Sequence, residues 1–156
     1  MSEILTHPNA ELRKMSLEIT KDNFGSDELT ALESRLLVAM KEDDGIGIAA
    51  PQIGIQKRMI VVSMPHTGPT VFLNPKIIWT SDSMIEFEEG CLSVPGVYGM
   101  VDRHKKIKIE AVSIDGHPMQ LDLKDLHAVV FQHEIDHLDG ILFIDKAKRI
   151  TRGKVE

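Results

Sequence analysis

The stretch Leu126, His127, Ala128, Val129, Val130, Phe131, Gln132, His133, Glu134, Ile135, Asp136, His137 is an apolar run with two histidines four positions apart and no proline or glycine inside it. Such a run reads as a buried helix, with Asp122 or Asp125 to cap its start and Gly140 just beyond its end. On a helix, positions four apart lie about 40° apart around the axis, so both imidazoles can reach one cation. Glu134 sits beside that pair, near enough to exchange a proton with a water on the ion but poorly placed to bind it. It reads as the general base. Val130, Val129 and Leu126 precede His133 by three, four and seven positions, so an apolar wall extends the metal-facing stripe. His127, six positions before His133, falls off that face and reads as a core or surface histidine.

Two imidazoles hold a catalytic ion weakly, so a third ligand is needed. Cys91, the single cysteine, follows Glu88, Glu89 and Gly90 and precedes Leu92 and Ser93. A lone cysteine taken by itself reads as a buried thiol. The glycine before it, which lets the backbone approach closely, and the histidine pair turn that reading toward a ligand. One thiolate with two imidazoles leaves a tetrahedral ion one position for water, as a hydrolase requires. A third segment, Gly45, Ile46, Gly47, Ile48, Ala49, Ala50, Pro51, Gln52, places small residues around alternating isoleucines. It suits a strand edge that pairs with an extended peptide, with Gln52 free to donate to a substrate oxygen; a tight turn before a buried strand explains it as well.

Together and in this order, the run from Gly45 to Gln52, the run from Glu89 to Ser93 and the run from His133 to His137 resemble the signatures of peptide deformylase, GxGxAAxQ, EGCLS and HExxH. The likeness extends from Ile4, Leu5, His7, Pro8, Leu12 and Arg13 to Gly140, Leu142, Phe143 and Asp145. The resemblance implies that Cys91, His133 and His137 bind the metal and that Glu134 is the catalytic acid and base. It further implies that Gln52 and the Leu92 N–H stabilise the tetrahedral intermediate, and that Gly47 keeps its strand close to the metal. Substrate main chain is expected at Ile46 and Gly90, and Arg103 is expected to approach the peptide beyond methionine. The methionine pocket is expected from Ile46, Phe87, Leu126, Val129 and Val130. The implied activity is hydrolysis of the formyl group from N-formyl-methionyl peptides. The implied ion is Fe2+, with Zn2+, Ni2+ and Co2+ also suited to this donor set. A small zinc endopeptidase and a non-catalytic, metal-stabilised module that binds peptide ends are the alternatives. Many bacterial members of the family continue into a longer C-terminal helix, in some associated with the ribosome. Here the basic tail of Lys146, Lys148, Arg149, Arg152 and Lys154 is expected to be a solvated, frayed terminus.

At 156 residues and 42% hydrophobic, the chain is expected to form one domain, 1–156, with a core that needs no disulfide. A net charge of −6 excludes a general nucleic-acid footprint, and no specific DNA partner is expected. The basic cluster of Arg103, His104, Lys105, Lys106 and Lys108 reads as a solvated strand face. With no long apolar run and no leader before Ile4, the expectation is a soluble, cytoplasmic monomer with no membrane partner. Residues 9–15 and 27–41 read as helices, the second with Leu29, Leu32, Leu36 and Met40 on one face. Residues 59–63, 70–73, 76–80, 84–88 and 106–113 read as strands, and Asp115 with Gly116 turns the chain into another at 118–123. Strands in the middle and helices at the ends predict an α+β fold, with antiparallel β-sheets packed around a central metal-binding helix and with N-terminal helices.

Overall fold

The computed structural model describes residues 3–156. In chain order the elements are α1 (Asp27–Glu42), β1 (Gly47–Ala49), β2 (Met59–Met64), β3 (Gly68–Thr80), β4 (Met84–Cys91), β5 (Val94–His104), β6 (Lys106–Val112), β7 (Pro118–Lys124), α2 (Asp125–Leu138), α3 (Phe143–Lys146) and β8 (Arg149–Arg152). The strands form two antiparallel sheets, one in the order β1-β2-β3-β6-β7 and one in the order β4-β5-β8. The fold is α+β, as the pattern of elements predicts.

The period-two alternation of β2 explains the layering. Met59 and Val61 face α1, where they meet Leu29, Leu32, Leu36 and Met40. Ile60 and Val62 face the other way, toward Ala128, Phe131, Ile135 and Leu138 of α2. Phe72 of β3 meets Phe131 edge-on, with ring centroids 4.9 Å apart. The five-stranded sheet is therefore covered by α1 on one face and α2 on the other. The opposite side of α2 is left to face the three-stranded sheet. A smaller apolar cluster of Leu12, Val94, Val97, Val101, Leu142 and Phe143 closes that side.

Several elements differ from the reading of the chain. Residues 9–15 shrink to a 3-10 turn, Ala10–Arg13, capped by the Asn9 side chain. The two expected strands 70–73 and 76–80 are one long strand, β3, with a register shift between Leu73 and Lys76. At that shift Asn74 takes a φ of 49°, and its amide binds both the N–H and the carbonyl of Ile19, each at 2.8 Å. β5 is not announced by alternation, because Pro95, Gly96 and Gly99 interrupt its pattern. Neither proposed aspartate caps α2. Asp122 lies within β7, Lys124 is the N-cap residue, and no side chain caps it. Gly140, with φ 73°, ends the helix as expected.

The tail is a strand and not a frayed end. β8 pairs with β5, and cations at its start are held by the acids of neighbouring strands: Lys148, just before it, by Glu86 and Asp102, and Arg149 by Glu86. Among the described residues no helix is long and apolar enough to cross a membrane.

Leu36, fully buried between α1 and the five-stranded sheet, gives a direct test of this layering. Leu36→Ala is expected to lower unfolding stability by about 3 kcal/mol in urea titrations. A loss under about 1 kcal/mol would mean that this face of α1 is not packed as described.

Candidate active site

Cys91 ends β4, at the bend where the register shifts after Gly90. His133 and His137 project from α2 toward it. The Cys91 Sγ lies 3.3 Å from His137 Nε2, and one donor atom from each of the three residues lies within 4.8 Å of the others. These three donors come from two elements far apart in the chain, β4 and α2, and they are suited to hold a single ion. A sulfur with two imidazoles is a donor set for iron(II), zinc, nickel or cobalt.

What surrounds the donors fixes their orientation. Glu89, on the same face of β4 as Cys91, accepts a hydrogen bond from His133 Nδ1 at 2.8 Å. That leaves His133 Nε2 free for the cluster. The same carboxylate is gripped by Arg103 through Nε at 2.8 Å and Nη2 at 2.9 Å, and Arg103 Nη1 reaches Asp136 at 2.6 Å. Asp136 is paired in turn with Lys146. Burial opposes ionisation of Glu89, but the hydrogen bonds from Arg103 and His133 outweigh it and hold the carboxyl at about 2. His133 is raised well above the ordinary imidazole range: burial works against this, and its bonds to Cys91 and Glu89 prevail. His137 is pushed well below that range, first by burial and then by the positive charge of His133 and Arg103.

Glu134 is buried, and its Oε1 has no hydrogen-bond partner among the described residues. Burial pushes its carboxyl up to about 7; the Glu89 charge adds to this, while His133 and Arg103 oppose it. Such an acid can both take and return a proton near neutral pH. Gly47 explains how the carboxylate fits. A Cβ at Gly47 would sit 2.8 Å from Glu134 Oε2, so β1 can pass this close only without a side chain.

A cavity of about 480 Å³ opens onto this cluster. Ile46, Gly47, Gln52, Phe87, Gly90, Cys91, Leu92, Leu126, Val129, Val130, His133 and Glu134 all line it. Ile46 and Leu126 are partly exposed at its rim, and Val129 and Val130 are buried. β1 is an edge strand of its sheet, as the small-residue run suggests.

Two expectations need correction. Arg103 does not approach a peptide: it is 2% exposed and lies behind His133, its guanidinium fully engaged by Glu89 and Asp136. It also does not belong to a solvated basic face. The Gln52 amide is not free either. Its oxygen accepts from the Ala49 N–H at 2.9 Å, and its nitrogen donates to Ser93 Oγ at 3.1 Å and faces Cys91 Sγ at 3.7 Å. His127 stays off the ligand face, with Nε2 3.3 Å from the Ser63 carbonyl. Glu89 was missed as a functional residue, although its place two residues before Cys91 on a strand puts both side chains on one face.

A family model described as polypeptide deformylase matches residues 1–153. The chain belongs to the polypeptide deformylase family. A peptide deformylase of Phenylobacterium zucineum is 42% identical over 154 residues, covering 96% of this chain and 89% of that protein. A Plasmodium falciparum peptide deformylase in complex with an inhibitor superposes with a TM-score of 0.86 at 38% identity, over 94% of this chain and 89% of that one. A class I type b peptide deformylase of Acinetobacter baumannii with Met-Ala-Ser bound gives a TM-score of 0.88 at 32% identity, over 92% of this chain and 96% of that one. The chain is accordingly a hydrolase that removes the N-terminal formyl group from formyl-methionyl peptides. For a deformylase, the Glu89 network is what keeps one histidine aimed at the cluster.

Arg103→Ala leaves the buried Glu89 carboxylate with His133 as its one remaining partner of this network and takes the buried cation from Asp136, and is expected to cost about 3–5 kcal/mol in urea unfolding at pH 7. Glu89 is held below the ordinary carboxylate value of 4.5, so its contribution to stability is present above that pH and lost as pH falls toward 2. Glu89→Gln is expected to flatten the acid side of the stability profile across that interval, and an unchanged slope would contradict the network.

Proposed function

We propose that Cys91, His133 and His137 hold one divalent ion, iron(II) in the cell, and that Glu134 moves the protons of deformylation. The observation that carries this reading is the convergence of one sulfur and two imidazoles beside a buried carboxylate oxygen that has no partner among the described residues. When bound, such an ion supplies Lewis acidity and makes water a competent nucleophile near neutral pH. Fe2+ is favoured by the family resemblance, and Zn2+, Ni2+ and Co2+ fit the same donors.

The protein's own groups account for the rest. Glu134 Oε1 takes a proton from water as the water oxygen attacks the formyl carbon, and the carbonyl oxygen gains negative charge. One hydrogen of Gln52 Nε2 is engaged by Ser93, while the other, toward Cys91 Sγ, has only a weak acceptor. That hydrogen and the Leu92 N–H are the donors proposed for the oxyanion, a well-placed donor being worth about 3 kcal/mol in such sites. Glu134 then returns its proton to the leaving nitrogen as the C–N bond breaks, releasing formate and a free amine. Ile46 and Gly90 offer main-chain groups to the extended peptide. Phe87, Leu126, Val129 and Val130 receive the methionine side chain in the apolar part of the cavity.

Selectivity for formyl follows from crowding. The space a Cβ would need at Gly47 is taken by Glu134, and Gly90 beside Cys91 adds no side chain of its own. An acyl carbon bearing only hydrogen fits between walls this close. The bound Met-Ala-Ser of the Acinetobacter baumannii relative supports a peptide of that length as substrate here.

Formate release from formyl-Met-Ala-Ser tests the reading. Glu134→Ala is expected to lower turnover by about 10²–10⁴-fold while retaining one ion per chain by metal analysis. Acetyl-Met-Ala-Ser is expected to be cleaved far more slowly than the formyl peptide. Unchanged turnover in the variant, or equal rates on the two peptides, would refute these assignments.

A further inference from the structure

We infer that Arg152, on the C-terminal strand, is a positioning residue that holds the Tyr98 ring as the wall receiving the peptide beyond methionine. The inference rests on the formyl-peptide reading above and adds a specificity element to it.

Gly90, Tyr98 and Arg152 form one row across the three-stranded sheet, Gly90 opposite Tyr98 and Tyr98 opposite Arg152. The Tyr98 ring leans over Gly90 so closely that a Cβ there would lie 2.7 Å from Cε1 and 2.9 Å from Cδ1. The Arg152 guanidinium lies over the ring, 4.1 Å from its centroid, and extends to Glu88 at 3.6 Å. Arg152 thus reaches from β8 across β5 to β4, with the ring beneath it. The next residue, Gly153, has φ 77°, and a Cβ there would lie 2.2 Å from the Gly96 carbonyl oxygen. Only glycine lets the tail lie this flush against the start of β5.

Glu88, Gly90, Gly96 and Tyr98 all line the cavity. With the formyl group at Cys91, Leu92 and Glu134 and the methionine side chain at Phe87, Val129 and Val130, the remaining wall includes Glu88, Gly96 and Tyr98. A peptide leaving the formyl end passes that wall. A ring seated on Gly90 and covered by a guanidinium is already ordered, so the peptide is spared the entropic cost of ordering it. The strand has other anchors: Arg149, and Lys148 just before it, pair with Glu86 and Asp102. Loss of Arg152 therefore reads out on the ring rather than on the strand.

The test compares formyl-methionine amide with formyl-Met-Ala-Ser in the parent protein and in Arg152→Ala, Arg152→Lys, Tyr98→Ala and Tyr98→Phe. The KM advantage of the tripeptide over the amide is expected to shrink about threefold in Arg152→Ala and about tenfold in Tyr98→Ala, with kcat on the tripeptide moving less than KM. Arg152→Lys and Tyr98→Phe, which keep a cation and a ring, are expected to retain most of that advantage. Tyr98 is the only tyrosine of the chain, so a solvent-perturbation spectrum reports its ring directly, and Arg152→Ala is expected to increase its exposure. An unchanged KM advantage in both alanine variants overturns the inference, as does an unaltered tyrosine spectrum in Arg152→Ala. Absence of formate release from the parent protein overturns the functional reading and this inference with it.

Discussion

The buried carboxylate of Glu89, held between Arg103 and His133, is the interaction on which the site depends. It joins β4, which carries Cys91, to α2, which carries both histidines, and through Arg103 and Asp136 it reaches the next turn of that helix. A carboxylate this deep is tolerable only if its oxygens are met by donors. Arg103 supplies two and His133 a third. The same bond that satisfies Glu89 orients the imidazole, so the requirement for polar satisfaction and the requirement for a preformed ion site are met together.

The packing around this network sets the chemistry of Glu134. The five-stranded sheet takes the apolar face of α2, and the cavity opens where the β1 edge of that sheet and β4 meet the rest of the helix. Gly47 brings β1 against the Glu134 carboxylate, and the resulting burial raises the acid toward neutrality. A side chain at Gly47 would collide with the Glu134 carboxylate and with Val130, so strand and acid could not both keep their places. Among the described residues the Glu134 Oε1 meets no hydrogen-bond partner, so this oxygen stays directed to the site rather than to the protein around it.

Much of this arrangement was legible in the chain. The spacing of His133, Glu134 and His137 on an uninterrupted apolar run implied a buried helix with a metal-facing stripe, because helical geometry is local. The single cysteine after a glycine completed the donor set. The strand at β2 was legible too, but its unbroken apolar run did not reveal which residues face which helix. What stayed hidden was long-range pairing. Arg103 reads as a surface cation because its type and its neighbours Lys105 and Lys106 are those of a solvated strand, and nothing local reveals that Glu89 and Asp136 wait behind it. β5 is masked by its proline and glycines, and its existence depends on pairing with β4 and β8. The tail looks like a disordered basic end for the same reason: its partners, Glu86, Glu88 and Asp102, are about fifty to sixty residues away in sequence. Asn74 was equally opaque, since its left-handed backbone is stabilised by Ile19 from the N-terminal segment.

The central claim is that one sulfur and two nitrogens from these separated segments grip one ion. X-ray absorption spectroscopy of protein purified without air tests it most directly, because it names the element and counts the scatterers around it. The expected result is an iron edge with one sulfur and two imidazole nitrogens among the scatterers bound to the ion. A spectrum with no sulfur scatterer, or with no stoichiometric metal at all, would contradict it.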